Sequence, residues 1–438
     1  MAWWDDAQHP LFSARPAEIY KDKENQNYST VSRYPSSEKN SSPPFLPPTN
    51  QGGAWSVSPR RLSTKSSKCL LTFTTFLILT YLWRIFLNGH FHHGQCESNC
   101  DCTFPYENLP ESRVGELRDT LAGYKHRSDE CNVSSLELHQ PFGHVCPDRN
   151  SMLTAMSSGG RVGRDAPYVP RGCDMQWFST REVCEILGRY SQVILVGDSM
   201  LRHVIGAMNI LIREDLGYGG VTDWNFNDEE RRECFCNNQF DVRDCSVQGI
   251  FSTADVVKHD PLSLVCPKIV PEWSMDLRIE QMVRYPIPEE ERQRLERAID
   301  SNPSQQKAFV LGHGLWNNLE IDQSVAWLDS VLDTINSKLK ARTRLRGRSN
   351  KRNLPILLMT PNAAGEKKPD EWIISQGNKA LIKFEHTMAV EAAKRRVDHL
   401  GTWNMSIQAT SYDGVHMDMR GNLLKAMMVV NWLNLLEV

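Results

Sequence analysis

Three short segments of this chain are apolar at every position: Val193 to Val196, Ala308 to Leu311 and Pro355 to Met359. A strand with one wet face alternates apolar and polar residues, whereas a strand apolar throughout is covered on both faces. Helical spacing follows the first two. After the first come Met200, Leu201, Val204, Ile205, Met208, Leu211 and Ile212. After the second come Val325, Leu328, Leu332, Ile335 and Leu339, with Asp322 as the expected N-cap. Residues 376–397 and 419–434 also read as helices. The alternation predicts an α/β fold, with a mainly parallel sheet sandwiched between helices. Sites in such sheets lie beyond the carboxyl ends of the strands. The chemistry is therefore to be sought just after each apolar run. No internal repeat is evident.

The remainder of the 438 residues is organised differently. Residues 69 to 87, CLLTFTTFLILTYLWRIFL, are apolar apart from Arg84. That length suits a membrane-crossing helix at about 1.5 Å of rise per residue. Arg60, Arg61, Lys65 and Lys68 precede it, and no Lys or Arg follows until Arg113. The positive-inside rule then predicts a single-pass type II protein with its C-terminal part in the lumen or outside, and the expected location is the Golgi or another secretory-pathway membrane. The expected layout is a disordered cytosolic tail over 1–68, a transmembrane signal-anchor over 69–88, a lumenal stem over 89–135 and a globular domain over 136–438. The basic run at 341–353 reads as a solvated loop between a helix and a strand.

Of the twelve cysteines, all but Cys69 lie beyond the apolar segment. An oxidising lumen predicts that most are disulfide-bonded. Zinc held by Cys234, Cys236, Cys245 and Cys266 is the alternative, although C-x-C-x8-C is not a standard zinc spacing. No metal or other cofactor is expected. Asn132 and Asn404 begin lumenal glycosylation sequons. A formal net charge of -3 favours neither nucleic acid nor a strongly acidic partner.

Three motifs stand where the fold predicts a site. In VILVGDS, Ser199 falls at the mouth of a helix, where free N–H groups favour a developing oxyanion. Asp198 or Ser199 equally suits a helix cap. In SYDGVH, Asp413 and His416 are spaced so that the carboxylate can orient the imidazole. In LGHGLWNN, Asn317 or Asn318 can present an amide to an oxyanion, and Trp316 can stack on a sugar or pack in the core.

Taken in this order, Ser199, the Asn317 region and the Asp413-x-x-His416 pair resemble the SGNH/GDSL esterase superfamily. GDSMLRH and SYDGVHMD are most similar to its PC-esterase branch. That branch includes the trichome-birefringence-like polysaccharide O-acetyltransferases and related fungal type II membrane proteins. Arg202 stands at the arginine of the branch's GDS-x-x-R-N block, with His203 in place of the asparagine. The resemblance covers about residues 165 to 438. It implies a flavodoxin-like α/β/α sandwich, a Ser199–His416–Asp413 catalytic triad and acyl-ester chemistry on glycans. It further implies an oxyanion hole of the Ser199 N–H, Gly220 and Asn317, with Gly249 a rival for the glycine, and substrate contacts by Arg202 and Trp316.

The expected function is O-acetyl transfer from an acyl donor to a glycan or polysaccharide hydroxyl. Hydrolysis of glycan esters on the same fold, and a non-catalytic glycan-binding scaffold, are the alternatives. Ser199→Ala separates the scaffold from the enzymes. A metal-dependent glycosyltransferase is disfavoured because the lumenal part has no D-x-D, and P-loop and G-x-G-x-x-G signatures are also missing.

Overall fold

The computed structural model describes residues 118–302, 306–345 and 354–436. The expected tail and membrane segment, and part of the basic run, lie outside the described residues. Among the described residues no helix is long and apolar enough to cross a membrane.

Five strands form one sheet: β1 (Gln192–Gly197), β2 (Asp276–Gln281), β3 (Lys307–Gly312), β4 (Ile356–Met359) and β5 (Asp398–Leu400). Their spatial order is β2-β1-β3-β4-β5, and each neighbouring pair is parallel. The direction of strand addition reverses between β1 and β3, so a crevice forms beyond their carboxyl ends. The helices used below are α1 (Ser199–Arg213), α2 (Asn238–Asp241), α3 (Glu289–Ser301), α4 (Ile321–Leu345), α5 (Asn378–Lys394) and α6 (Met419–Asn434).

Alternate residues of the central strands feed two separate cores. Val193, Leu195, Ala308 and Val310 pack with α1 and α6. Ile194, Val196, Phe309 and Leu311 pack with α3, α4 and α5 through Leu295, Trp327, Leu328 and Phe384. This period of two, apolar on both sides, is why these strands read as unbroken apolar runs. Helix α6 is buried on every side, because α1, the sheet and N-terminal segments surround it.

Strands β2 and β5 were not evident from the pattern. They are the sheet's edges, and their sequences, DLRIEQ and DHL, mix charged with apolar residues. Asp322 lies inside the first turn of α4, since that helix begins at Ile321. The packed body also begins before residue 136. Leu121, Tyr124, Cys131 and Val133 are buried in the first core, and Lys125 N–H donates to Glu214 O at 2.7 Å.

All eight cysteines among the described residues are paired: Cys131–Cys236, Cys146–Cys173, Cys184–Cys266 and Cys234–Cys245, with Cα–Cα distances of 4.9 to 5.5 Å. The four cysteines weighed for zinc all lie in these bonds. The short helix α2 sits inside the Cys234–Cys245 loop.

Candidate active site

Glycine sets the geometry of the sheet's carboxyl edge. A Cβ on Gly197 would lie 2.4 Å from the carbonyl oxygen of Gly312, so β1 and β3 can end this close only without side chains there. The chain then turns into α1. Asp198 is the N-cap, its Oδ1 accepting from Met200 N–H at 2.9 Å. The cap thus belongs to the aspartate, and Ser199, the first helical residue, keeps its hydroxyl for another partner. No acceptor among the described residues takes the Ser199 N–H, as expected for an amide of the first turn.

That partner is His416. Its Nε2 lies 2.6 Å from Ser199 Oγ. Its Nδ1 lies 2.7 Å from Asp413 Oδ2. The other carboxylate oxygen of Asp413 accepts from Val415 N–H at 2.8 Å and His416 N–H at 2.7 Å. The tight turn needs Gly414, whose φ is 83° and where a Cβ would overlap the Lys368 backbone. Burial pushes the Asp413 carboxyl up, but its bonds to His416 and to the two amides outweigh burial and hold it below the usual carboxylate range. Asp413 is therefore an anion well placed to fix the Nδ1–H tautomer, which leaves the Nε2 lone pair facing Ser199.

Aromatic rings pack the imidazole. Tyr412 stacks beside it, with ring centroids 5.8 Å apart, and His203 lies 4.8 Å away, tilted by 37°. His203 is buried, and its ring is also flanked edge-on by Phe240 of α2. Burial, reinforced by the neighbouring cations, pushes His203 well below the usual histidine range, so its ring is neutral beside His416. Arg202 and His203 follow Ser199 by three and four residues and share its helix face.

The remaining expected site residues are arranged differently. Gly220 packs against Gly206 in the middle of α1, and its N–H donates to Gln239 Oε1 at 2.8 Å. That amide already has a buried acceptor, so it is not open to an oxyanion. Gly249 lies against the Arg202 side chain, and its N–H donates to Ser246 O at 3.3 Å. Asn317 follows β3 on a short turn, donates its amide to the Gln323 side chain and bonds the His313 ring. Trp316 stands half-buried on the same turn. His313 is structural: it stacks on Trp327 at 4.6 Å, bonds Ser324 at 3.1 Å, and is lowered to about 4 by burial.

Residues that the motifs did not single out complete the site. Asn362, just past the end of β4, donates to Val415 O at 3.2 Å and touches Met200 Sδ at 3.8 Å. Lys425 of α6 is wholly buried, with Nζ 3.4 Å from Asn362 Oδ1. Burial lowers Lys425 to about 8 against the pull of Asp198, whose own carboxyl is raised by burial. These groups line a cavity of about 20 Å³ behind Ser199, enough for one water. Both had a signal in the sequence. Asn362 follows an apolar strand run, and Lys425 interrupts the apolar face of LLKAMMVV.

Asp241, at the end of α2, carries a carboxyl raised to about 7 by burial and by the nearby carboxylates Asp418 and Asp413. Its Oδ1 has no hydrogen-bond partner among the described residues. No cluster of metal-ligating side chains occurs among the described residues. Comparison with family models, with curated proteins and with solved structures gives no match to this chain.

Proposed function

We propose that this chain is a serine-dependent acyl-transfer enzyme of SGNH type, on a flavodoxin-like α/β/α sandwich. The observation that carries the reading is the continuous chain from Ser199 Oγ through His416 to Asp413, at 2.6 and 2.7 Å. Both distances are within hydrogen-bond reach. The strand order and the site's position at the reversal of the sheet support the same fold.

His416 takes the Ser199 proton as Oγ attacks the acyl carbonyl carbon. Asp413 stabilises the imidazolium that forms. The Ser199 N–H, at the positive end of the α1 dipole, is the oxyanion donor this arrangement supplies. His416 returns the proton to the departing group, leaving the acyl ester on Ser199. A hydroxyl then attacks that ester, again deprotonated by His416, and Ser199 is regenerated.

The acceptor is a glycan or polysaccharide hydroxyl and the acyl group acetyl, in line with the resemblance of GDSMLRH and SYDGVHMD to the PC-esterase branch. Arg202, on the Ser199 face of α1, and Trp316 are the proposed substrate contacts. The protein acts as a membrane-anchored enzyme facing a secretory lumen. Incubation with an acetylated donor and candidate glycans, following acetate on the glycan against free acetate, tests this. Transfer lost in Ser199→Ala supports the reading. Release of acetate to water alone makes the chain an esterase. Glycan binding with no turnover in the wild type makes it a scaffold.

A further inference from the structure

The nucleophile and the base reach the site on different elements, Ser199 on α1 and His416 on the loop before α6. One buried side chain joins them. Asn362 Nδ2 is 3.2 Å from the carbonyl of Val415, the residue before His416, and 3.8 Å from Sδ of Met200, the residue after Ser199. Asn362 is 4 % exposed.

Chemistry fixes which way this amide points. The Val415 carbonyl can only accept, so it must face the NH₂ group. Lys425 has donors and no acceptor, so its Nζ, at 3.4 Å, must face Oδ1. A lysine in the middle of a fully buried helix is costly unless paired. The polar groups that meet it are the Asn362 carbonyl and the field of Asp198, the cap of the nucleophile's helix. The arrangement therefore runs Asp198, Lys425, Asn362, Val415, linking the start of α1 to the base loop.

We propose that Asn362 is a positioning residue that sets the Ser199–His416 distance, and that Lys425 locks its amide in the working orientation. This rests on the acyl-transfer reading for its catalytic consequence, but the positioning itself is a property of the imidazole and is readable without turnover. Misplacing reacting groups by about 1 Å can cost a hundredfold in rate, so a crosspiece at this point has leverage on the chemistry without touching the substrate.

Asn362→Asp is the discriminating change. It keeps the shape and keeps an acceptor for Lys425, but sets a carboxylate oxygen against the Val415 carbonyl. Lys425→Met loosens the amide by removing one of the two groups at Oδ1, the Thr402 hydroxyl at 3.4 Å being the other, makes α6 more apolar, and provides a second variant that does not depend on the folding of the first. Two measurements are made on the purified full-length chain. One is the rate at which a fluorophosphonate labels Ser199, losing fluoride as Oγ bonds to phosphorus. The other is the downfield proton signal of the imidazole N–H held between His416 Nδ1 and Asp413.

We expect labelling slowed about tenfold to a hundredfold in Asn362→Asp and less in Lys425→Met. The imidazole signal should broaden or vanish in Asn362→Asp, with the melting curve retained. Labelling and imidazole signal both as in wild type, in either variant that folds, overturn the proposal. If wild-type Ser199 is not labelled, the acyl-transfer reading fails by itself, and the imidazole signal alone decides the positioning role: its loss in Asn362→Asp supports it and its persistence overturns it.

Discussion

His416 Nε2 and Ser199 Oγ lie 2.6 Å apart although 217 residues separate them in the chain. Two independent elements create this contact. The Gly197–Gly312 approach ends β1 where α1 must begin, and Asp413 folds its turn around the imidazole through two amide bonds and one ring bond. Truncating His416 should therefore act on chemistry and leave the fold intact. His416→Ala should remove nearly all acyl turnover, as should Ser199→Ala, because the groups are expected to work as a unit. Asp413→Asn should lower kcat by about ten-thousandfold through the wrong tautomer. Steady-state kinetics on a chromogenic acetyl ester check both, and a His416→Ala enzyme with unaltered kcat would remove the triad from the account.

Gly197→Ala should destabilise the protein. The new Cβ would sit 2.4 Å from Gly312 O, a backbone atom that cannot swing aside, so β1 and β3 must separate at the site. Overpacking of this kind costs about 1–3 kcal/mol. Urea unfolding should show a lower midpoint with an unchanged slope. A midpoint equal to wild type would mean that the strand ends can spread freely.

Asp241 gives the stability a pH dependence of predictable sign. Its folded carboxyl is raised to about 7 from an ordinary value of 3.8. Between those values the folded state holds a proton that the unfolded state has lost. Its contribution is fully present below about pH 3.8 and is lost as the pH rises through about 7. Urea midpoints at pH 5 to 8 should thus decline less steeply in Asp241→Asn than in wild type. An identical decline in the two proteins would contradict the burial of this carboxyl.

The cysteines and sequons give a covalent map. Non-reducing peptide mapping should find Cys234 joined to Cys245 and Cys236 joined to Cys131. In a protein passed through a secretory pathway, Asn132, which is exposed, should carry glycan. Asn404 should not, since its amide donates to Ser157 O at 2.7 Å. A glycan on Asn404 or a Cys234–Cys236 bond would show that this region folds otherwise.

How much of this was legible beforehand follows from what each element buries. Val193 to Val196 and Ala308 to Leu311 announce themselves because both faces are dry. Strands β2 and β5 do not, because an edge strand such as DLRIEQ carries charges along one side. Ser199, Asp413 and His416 were readable because their spacing encodes local geometry, a strand-to-helix turn and a three-residue loop. The amides of Gly220 and Asn317 bond Gln239 and Gln323, which was not legible, because a donor's direction in space is not encoded by spacing. The amide of Gly220 points to Gln239, nineteen residues away, and no local pattern predicts that bond. Asn362 and Lys425 stand out in the sequence as polar residues beside apolar runs, but their roles appear only when β4, α6 and the Asp413 turn are brought together.

The most direct measurement of the central claim is the intact mass of the protein mixed rapidly with an activated acetyl ester and quenched in acid. The expected result is a covalent adduct of one acetyl group, located by peptide fragmentation on Ser199. The adduct should be absent in Ser199→Ala and His416→Ala, and a glycan acceptor should discharge it. Wild-type protein that carries no acetyl group, or one that carries it equally in Ser199→Ala, contradicts the account.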